Sequence, residues 1–324
     1  MRQGPFETQH EALWEEFDEV LARADEERAY RLPPLYQEVC HHYALARSRH
    51  YSPYLVAKLH DRVQEGHAVL YRYRSASIWA VLRFLWVDFP DSVRRNHLLV
   101  AIAAFCFFVP LFAMGIATYM DTELVYSVHN PSDVAAMEYA YEPNRENYGR
   151  GTEDENRSNF AMFGFYIYNN ISVGFRCFAS GLVFGIGSVA MLVFNGVAIG
   201  SIAGHLTQLG YSETFYPFVS GHGAFELPAI VICGAAGLRL AKPLIARGRY
   251  SLGDALRVAG RDSVKLVMGA TCLFTIAAFI EAFWSPSDIA PVIRLSVAVL
   301  LWVLALGYFV SAGRRHVPGE HRGD

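Results

Sequence analysis

The stretch that decides the fold is LLVAIAAFCFFVPLFAMGIATYM, residues 98–120. It contains no charged residue, and it is longer than the roughly 20 residues that an α-helix needs to cross the hydrocarbon core of a bilayer. Arg94 and Arg95 precede it, and the positive-inside rule places such basic flanks in the cytoplasm. The sequence therefore predicts a membrane helix that leaves the cytoplasm here.

The rest of the chain divides into a polar part and an apolar part on either side of this boundary. Of its 324 residues, 53% are hydrophobic and 18% are charged, with a net charge of −3. Charged residues concentrate before residue 97, whereas apolar runs recur up to residue 310. This pattern predicts an all-α polytopic membrane protein: a cytoplasmic helical region over residues 1–96, with an interfacial helix near 77–90, a transmembrane domain over 97–312 and a cytoplasmic tail over 313–324. Within the leader, Pro33 and Pro34 predict a turn between two helices.

Loop charge predicts the number of crossings. Residues 121–158 are rich in acidic side chains, which favours an external loop, and residues 239–265 are rich in Arg and Lys, which favours a cytoplasmic loop. An odd number of crossings must separate them. We expect six membrane segments, at least one of them broken, in a bacterial inner membrane with both termini in the cytoplasm. The segment 160–175 is short and carries Asn169 and Asn170, so the alternative is that it lies at the interface.

Small residues recur at helical spacing in the apolar part. Such residues let a second helix approach closely, which drives association where lipid removes the hydrophobic incentive. The pattern fits packing within one subunit as well as a homodimer face. The residues concerned are Gly181, Gly185, Gly196, Gly200 and Gly204.

The segment SGHGAFELPAI, residues 220–230, places two ionisable side chains in one of the most apolar regions. His222 and Glu226 are four residues apart and share a face on a continuous helix. Gly221 and Gly223 weaken a helix, and Pro228 removes a backbone donor. The sequence therefore predicts a helix break at this segment.

Three interpretations of the pair compete. It could staple the break internally, because polar groups at membrane depth find partners inside the bundle. It could line a transport or ion-binding site with Asn195 and Glu281, since broken helices and buried carboxylates mark such sites. It could also form a metal or hydrolytic site with His205 or Glu213 as a third ligand. Near helix ends, Glu281 and Arg176 are instead expected to reach toward the lipid headgroups.

Other chemistries lack a signature in this sequence. It contains no HExxH, GxSxG, Walker A or CxxC motif, which argues against the corresponding hydrolase, nucleotide and zinc-finger classes. The net charge gives no reason to expect nucleic acid as a partner. We therefore predict no catalytic residues, no metal and no cofactor.

Three motifs together resemble one known family. They are Asn169-Asn170, FNGVAIG over residues 194–200 and GHGAFELPAIVICGAAGLRL over residues 221–240, and they are similar to the stage II sporulation protein M family of bacterial and archaeal integral membrane proteins. The polar leader resembles that of longer, non-sporulating members. The resemblance implies a membrane protein that organises envelope partners during engulfment and is not itself known as an enzyme.

The predicted function is therefore a non-enzymatic scaffold in the cell envelope. Its expected partners are membrane lipids, other membrane or periplasmic envelope proteins and a second copy of the chain. The alternative is a transporter or channel for an ion, a small solute or a lipid-linked precursor that uses the segment 221–228 as its site.

Overall fold

The computed structural model describes residues 3–22, 26–70, 78–143, 145, 148–150, 157–246 and 251–312. Within these ranges all regular structure is helical. The chain forms two compact units, Met1–Ile78 and Trp79–Asp324. The predicted all-α membrane class is confirmed; the tail 313–324 lies outside the described residues.

The first unit is a three-helix structure with its own core. Helices α1 (Gln3–Ala22), α2 (Glu26–Ser48) and α3 (Pro53–Leu70) bury one apolar face each. Helix α2 runs through Pro33 and Pro34, so the predicted turn there is wrong. Burial of Leu32 and Val39 in the core fixes this helix, because tertiary packing outweighs the helix-breaking tendency of an interior proline.

A short amphipathic segment follows. It consists of α4 (Ile78–Arg83), a π-helical turn (Phe84–Asp88) and α5 (Phe89–Arg95). Trp79 and Trp86 are exposed, as in an interfacial helix, whereas Phe89 is buried against the rings of Tyr308 and Phe309. The boundary between the two units therefore falls after Ile78 rather than after residue 96, because α5 already packs with the second unit.

The second unit is a bundle of long helices. Five of them are long and apolar enough to span a membrane by length and composition: His97–Met120, Ile186–Gln208, Ser212–Ile245, Leu252–Trp284 and Pro291–Ser311. In chain order the bundle contains α6 (His97–Met120), α7 (Pro131–Tyr141), α8 (Asn159–Ala179), α9 (Ile186–Gln208), α10 (Ser212–Ile245), α11 (Leu252–Phe279), the π-helical turn (Ile280–Trp284) and α12 (Pro291–Ser311).

Helix α8 runs the full length of the bundle beside these five. At one end the ring of Phe160 lies 5.3 Å from that of Phe283, and Gly174 faces Phe274 at mid-length. Just beyond the other end, Gly181 in the 3₁₀ turn Ser180–Leu182 abuts the backbone of Gly237. The middle set of three helices expected between the two loops is thus α8, α9 and α10.

The start of α6 and the end of α12 lie at the same end of the bundle. The guanidinium of Arg94, just before α6, donates hydrogen bonds to the carbonyl oxygens of Phe309 and Ala312 at the end of α12. Each helix that runs the length of the bundle carries the chain to the opposite end. The start of α6 and the end of α12 therefore meet at one end only if the number of such helices is even. Six helices, including α8, satisfy this condition.

The regularly spaced glycines allow helices of the same subunit to pack closely. A Cβ atom added at Gly196, Gly200 or Gly204 of α9 would lie 2.3, 2.2 or 2.1 Å from a carbonyl oxygen of α6, those of Phe107, Leu111 and Gly115 respectively. Gly181 makes the same kind of contact with Gly237, and Gly185 has a left-handed φ of +79° at the start of α9. Of the two alternatives, packing within one subunit accounts for these glycines.

Helix α10 is continuous from Ser212 to Ile245, so the predicted break at Gly221, Gly223 and Pro228 is wrong. Pro228 still leaves the carbonyl of Ala224 without its usual helical donor. However, most of α10 is buried between its neighbours, and packing on all sides holds the helical backbone where local propensity does not.

The two charged loops also take defined structure. The acidic segment 121–158 forms a 3₁₀ helix (Thr122–Ser127) and α7, which lie over one end of the bundle. Thr214 Oγ1 donates a hydrogen bond to the carbonyl oxygen of Tyr141 at 2.5 Å. Much of the basic segment 239–265 belongs to the end of α10 and the start of α11. The predicted loops are therefore shorter than charge alone indicated.

Candidate functional site

The continuous α10 presents His222 and Glu226 on one face, one helical turn apart. His222 is 7% exposed, and Glu226 is half-buried. Both side chains point into the interior of the bundle toward the end covered by α7. The pair that the sequence identified therefore lies together, without a helix break to explain its presence.

The third member of the site is Glu281. It lies in the π-helical turn after α11, where the amide of Ser285 bonds to the carbonyl of Ile280, five residues earlier, at 2.8 Å. One ligand atom each from His222, Glu226 and Glu281 lies within 4.8 Å of the other two. The side chain of Glu281 thus points into the bundle rather than toward the headgroups. It is the third member of the cluster, the position for which the sequence suggested His205 or Glu213.

A serine fixes the orientation of the imidazole. Ser285 Oγ donates to the carbonyl oxygen of Phe218 at 2.8 Å and lies 3.3 Å from His222 Nδ1. Because the single hydroxyl proton of Ser285 is used on Phe218, its oxygen accepts from His222 Nδ1–H. The neutral ring then carries its lone pair on Nε2, the nitrogen that binds metals or accepts protons.

One asparagine of α8, Asn170, completes the inner wall, and the neighbouring Asn169 is exposed. Asn170 is 3% exposed, and Asn169 Nδ2 donates to Asn170 Oδ1 at 3.1 Å. The amide of Asn170 interacts with the Glu281 carboxyl group, although its Nδ2 has no partner in hydrogen-bonding geometry among the described residues. A buried amide donor is thus held toward the carboxylates with its hydrogen-bonding capacity unfilled.

Tyr141 at the end of α7 covers the site from outside. It is 7% exposed, with its ring edge-on to Phe215 and Phe218 at 5.0 and 5.7 Å. Burial raises the pKa of the Tyr141 hydroxyl well above its usual value, and the nearby carboxyl groups of Glu281 and Glu226 raise it further. The phenol therefore stays protonated beside the two carboxyl groups.

The remaining predicted residues lie elsewhere. Asn195 donates to the carbonyl of Met191 at 2.7 Å and lies 3.8 Å from Cys177 Sγ, which links α9 to α8. His205 pairs with Glu138 of α7 at 2.6 Å, and Glu213 is exposed. Arg176 is exposed, and its reach toward the headgroups stays a prediction. In the described part of the chain, none of these four forms a hydrogen bond or ion pair with the three-residue cluster.

Charge defines what the cluster can do. Within the described residues, neither Glu226 nor Glu281 forms a salt bridge with Lys or Arg. Two ionised carboxylates in a low-dielectric interior are costly unless a positive charge compensates them. The site is therefore suited to bind a cation or to exchange protons.

Sequence reasoning missed Ser285, Tyr141 and Arg294. Arg294 is buried at the start of α12 and donates to the carbonyl oxygen of Ser285 at 2.9 Å, which secures the end of the π-helical turn. Glu281 carried a usable signal: it is the single acidic residue in a long apolar run, a pattern typical of an inward-facing group.

Comparisons with known proteins agree with the architecture. The family model "Stage II sporulation protein M" matches residues 101–286, more than half of the chain, and a domain of unknown function matches residues 4–72. An uncharacterized protein of Methanocaldococcus jannaschii is 28% identical over 123 residues, which cover 36% of this chain and 67% of the relative. No solved structure matches.

Proposed function

Since this chain belongs to the stage II sporulation protein M family and carries a charged cluster inside its helical bundle, we propose that it binds a cation there and transports it across the membrane. The observation that supports this proposal is the meeting of His222, Glu226 and Glu281 within 4.8 Å. Ionisable groups at membrane depth are expensive and mark ion or proton pathways.

The structural alternative, a staple within the bundle, fits this cluster less well. A staple pairs each acidic group with a donor or a basic side chain. Here two carboxyl groups face each other, and the nearest amide donor, that of Asn170, has no partner in hydrogen-bonding geometry within the described residues. A bound cation would satisfy all three side chains at once.

Transport also requires that access alternate between the two sides. Glu226 and Glu281 both retain some accessible surface, whereas residues 229–237 of α10 are buried without exception. We infer that this conformation is closed on the side of Gly237. Opening there would separate α10 from the 3₁₀ turn that follows α8, where Gly181 abuts Gly237.

The test is ion flux into liposomes that contain the purified full chain. Proton movement is followed with a pH-sensitive dye under an imposed potential, and Zn²⁺, Mn²⁺ and Ca²⁺ with encapsulated indicators. We expect flux of at least one of these ions, at least ten-fold lower in Glu226→Gln and Glu281→Gln. Glu213→Gln, an exposed position at the start of the same helix, is the matched control. Wild-type flux equal to that of empty liposomes would refute transport.

A second candidate function is a scaffold in the cell envelope, with lipids and envelope proteins as partners. It is favoured by the first unit, a separate helical structure with its own core that a transport path does not require. A homodimer through the regularly spaced glycines has less support, because they pack within the subunit: Gly196, Gly200 and Gly204 against α6, and Gly181 and Gly185 against α10.

The scaffold proposal predicts stable protein partners that do not depend on the charged cluster. The full chain and its Glu226→Gln variant are isolated from native membranes in mild detergent, and the co-purifying proteins are compared. A scaffold retains the same envelope proteins in both samples. Recovery of no envelope protein with either chain would count against this role. In both proposals the chain lies in the bacterial inner membrane with its termini in the cytoplasm.

A further inference from the structure

We infer that the cation bound by His222, Glu226 and Glu281 is a divalent transition metal ion, with Zn²⁺ as its representative. This inference deepens the proposed function and rests on it for the site's role in transport. The binding of metal itself stands on the geometry of the cluster and is tested separately below.

The spacing of the three groups fits one small ion. Metal bonds of about 2.0–2.2 Å in a tetrahedral arrangement separate the ligand atoms by roughly 3.4 Å. The candidate ligand atoms lie within 4.8 Å of one another, so modest side-chain rotation brings them to that separation. Three protein ligands leave a fourth position for water or for an ion in transit, as in open zinc sites.

The imidazole decides the class of ion. Calcium and magnesium prefer oxygen ligands throughout, whereas imidazole suits zinc and neighbouring transition metals. The mixed set of one nitrogen and two carboxylate ligands therefore favours a transition metal. The five cysteines stay outside this set, because none of them belongs to the cluster.

The surroundings of His222 match those of metal-binding histidines. Such residues donate their second ring N–H to a neighbouring acceptor, which fixes the tautomer and the orientation of the ring. His222 Nδ1 lies 3.3 Å from Ser285 Oγ, whose own proton is used on Phe218. Nε2 is thereby left as the free base for an ion.

A second, independent observation is the orphaned amide of Asn170. It is nine-tenths buried or more, interacts with Glu281, and leaves Nδ2 without a partner in hydrogen-bonding geometry among the described residues. A carboxylate that binds metal through one oxygen offers its other oxygen as an acceptor for such a donor. Metal ligation would fix the Glu281 carboxylate so that its second oxygen accepts from the Asn170 amide in hydrogen-bonding geometry.

The balance of charge at the site also favours a divalent cation. Two carboxylates and one divalent cation sum to zero, which removes the cost of unpaired charge in the bundle interior. With both carboxyl groups ionised, a monovalent cation would leave one negative charge, since no basic side chain forms a salt bridge with either glutamate in the described ranges. A divalent ion is therefore the better match.

The experiment is equilibrium binding of Zn²⁺ and Co²⁺ to the full chain in lipid nanodiscs, purified with a tag that lacks histidine. We expect one metal per chain by elemental analysis and a Co²⁺ absorption spectrum of a four- or five-coordinate site. Glu281→Gln should lower the affinity at least 100-fold. The control His205→Gln, on a buried histidine paired with Glu138 outside the cluster, should retain one metal with unchanged affinity.

The serine gives a graded test of the same site. Ser285→Ala should keep one metal at saturation but weaken affinity about 10- to 100-fold, the usual effect of losing an outer-shell partner. X-ray absorption of the wild-type protein with Zn²⁺ provides a readout that needs no variant. It should show one imidazole and only nitrogen or oxygen ligands at about 2.0–2.2 Å. A spectrum without imidazole scattering would overturn the assignment.

The outcomes separate this inference from the proposed function. Metal binding that depends on Glu281, in a protein without flux, would keep the metal site and refute transport. Proton flux that depends on Glu281, in a protein that binds neither metal, would keep transport and refute the metal site. Binding that is equal in wild type and Glu281→Gln would place the metal elsewhere and also refute this inference.

Discussion

At the scale of single residues, the site holds two carboxyl groups that have no basic partner in the described structure. Glu226 lies on α10, and Glu281 is brought opposite it by the π-helical turn. π-helical turns inside α-helices occur frequently at functional sites. Such an arrangement lowers the stability of the empty protein and makes that energy available to a ligand.

The first prediction concerns this cost. In the presence of a chelator, Glu281→Gln should be more stable than wild type by about 1–2 kcal/mol, because an amide does not carry the buried charge. Added Zn²⁺ should then raise the melting temperature of wild type and not that of the variant. Thermal unfolding in detergent measures both. A variant less stable than wild type under chelator would contradict this account.

The residues of the site differ in how far sequence could identify them. His222 and Glu226 are four residues apart, so any helix brings them together. Glu281 and Ser285 join them only through the packing of α11 on α10 and the extra residue of the π-helical turn, neither of which has a local signature. The outward orientation expected for Glu281 was therefore wrong.

At the scale of elements, close contact between α6 and α9 depends on glycine. The second prediction is that Gly200→Ala destabilises the bundle by about 1–3 kcal/mol, the usual cost of overpacking, since its Cβ would lie 2.2 Å from the carbonyl oxygen of Leu111. Gly307→Ala on α12, with nothing within 4 Å, is the matched control and should change stability little. Thermal unfolding of both variants measures the two changes in stability. Equal destabilisation by Gly200→Ala and Gly307→Ala would show that α9 does not pack against α6 as described.

In the first unit, a buried histidine makes stability depend on pH. Trp14 Nε1 donates to His42 Nδ1 at 3.2 Å, which requires the neutral ring. Burial lowers the pKa of His42, His10 and His41 lower it further, and Glu38 partly opposes them. The ring of His42 is thus shielded from solvent, because Phe6 and Trp14 enclose it.

The third prediction follows from the sign of that shift. The unfolded chain binds a proton at His42 with a pKa of about 6.5, whereas the folded unit binds it only at lower pH. Stability is therefore complete above about pH 6.5 and falls as pH decreases toward the folded-state pKa. Hydrogen exchange of α1–α3 in the full chain at pH 7.5 and 5.5, corrected for the intrinsic rate, should report this loss. His42→Gln should reduce the pH dependence; an unchanged dependence would exclude His42 as its source.

Two helices are continuous at positions where the local sequence predicts an interruption. Pro33, Pro34 and Pro228 each predicted an interruption, yet α2 and α10 pass through them. Each lies in a helix that neighbours hold along much of its length, so the loss of one backbone hydrogen bond is offset by the burial of apolar side chains. The sequence predicted where the helices lie, but it did not predict that α2 and α10 continue through their prolines.

At the scale of the whole molecule, α8 determines the topology. It is not among the five helices that qualify as spans by length and composition, because its polar residues reduce its hydropathy. Of these residues, Asn170 is buried at the interior site, whereas Asn169 is exposed and donates a hydrogen bond to Asn170. Three helices, α8, α9 and α10, lie between the acidic and the basic segments, whereas hydropathy alone would omit α8. That these helices cross a membrane between an external and a cytoplasmic side stays a prediction.

The fourth prediction tests α8 by cysteine accessibility in a chain whose native cysteines are replaced. Cysteines introduced at Ser158 and Ser251 should react with an impermeant maleimide from opposite sides of the membrane, because α8, α9 and α10 lie between them. Ser311→Cys should behave like Ser251→Cys. Labelling of Ser158→Cys and Ser251→Cys from the same side would show that α8 does not cross.

The measurement that tests the central claim most directly is anomalous X-ray scattering at the zinc edge from crystals of the full chain grown with Zn²⁺. The account predicts an anomalous peak between His222, Glu226 and Glu281, about 2.0–2.2 Å from a ligand atom of each. The same crystals of Glu281→Gln should lack that peak. A wild-type map with no anomalous density among these three side chains, at a Zn²⁺ concentration that saturates other sites, would contradict the account.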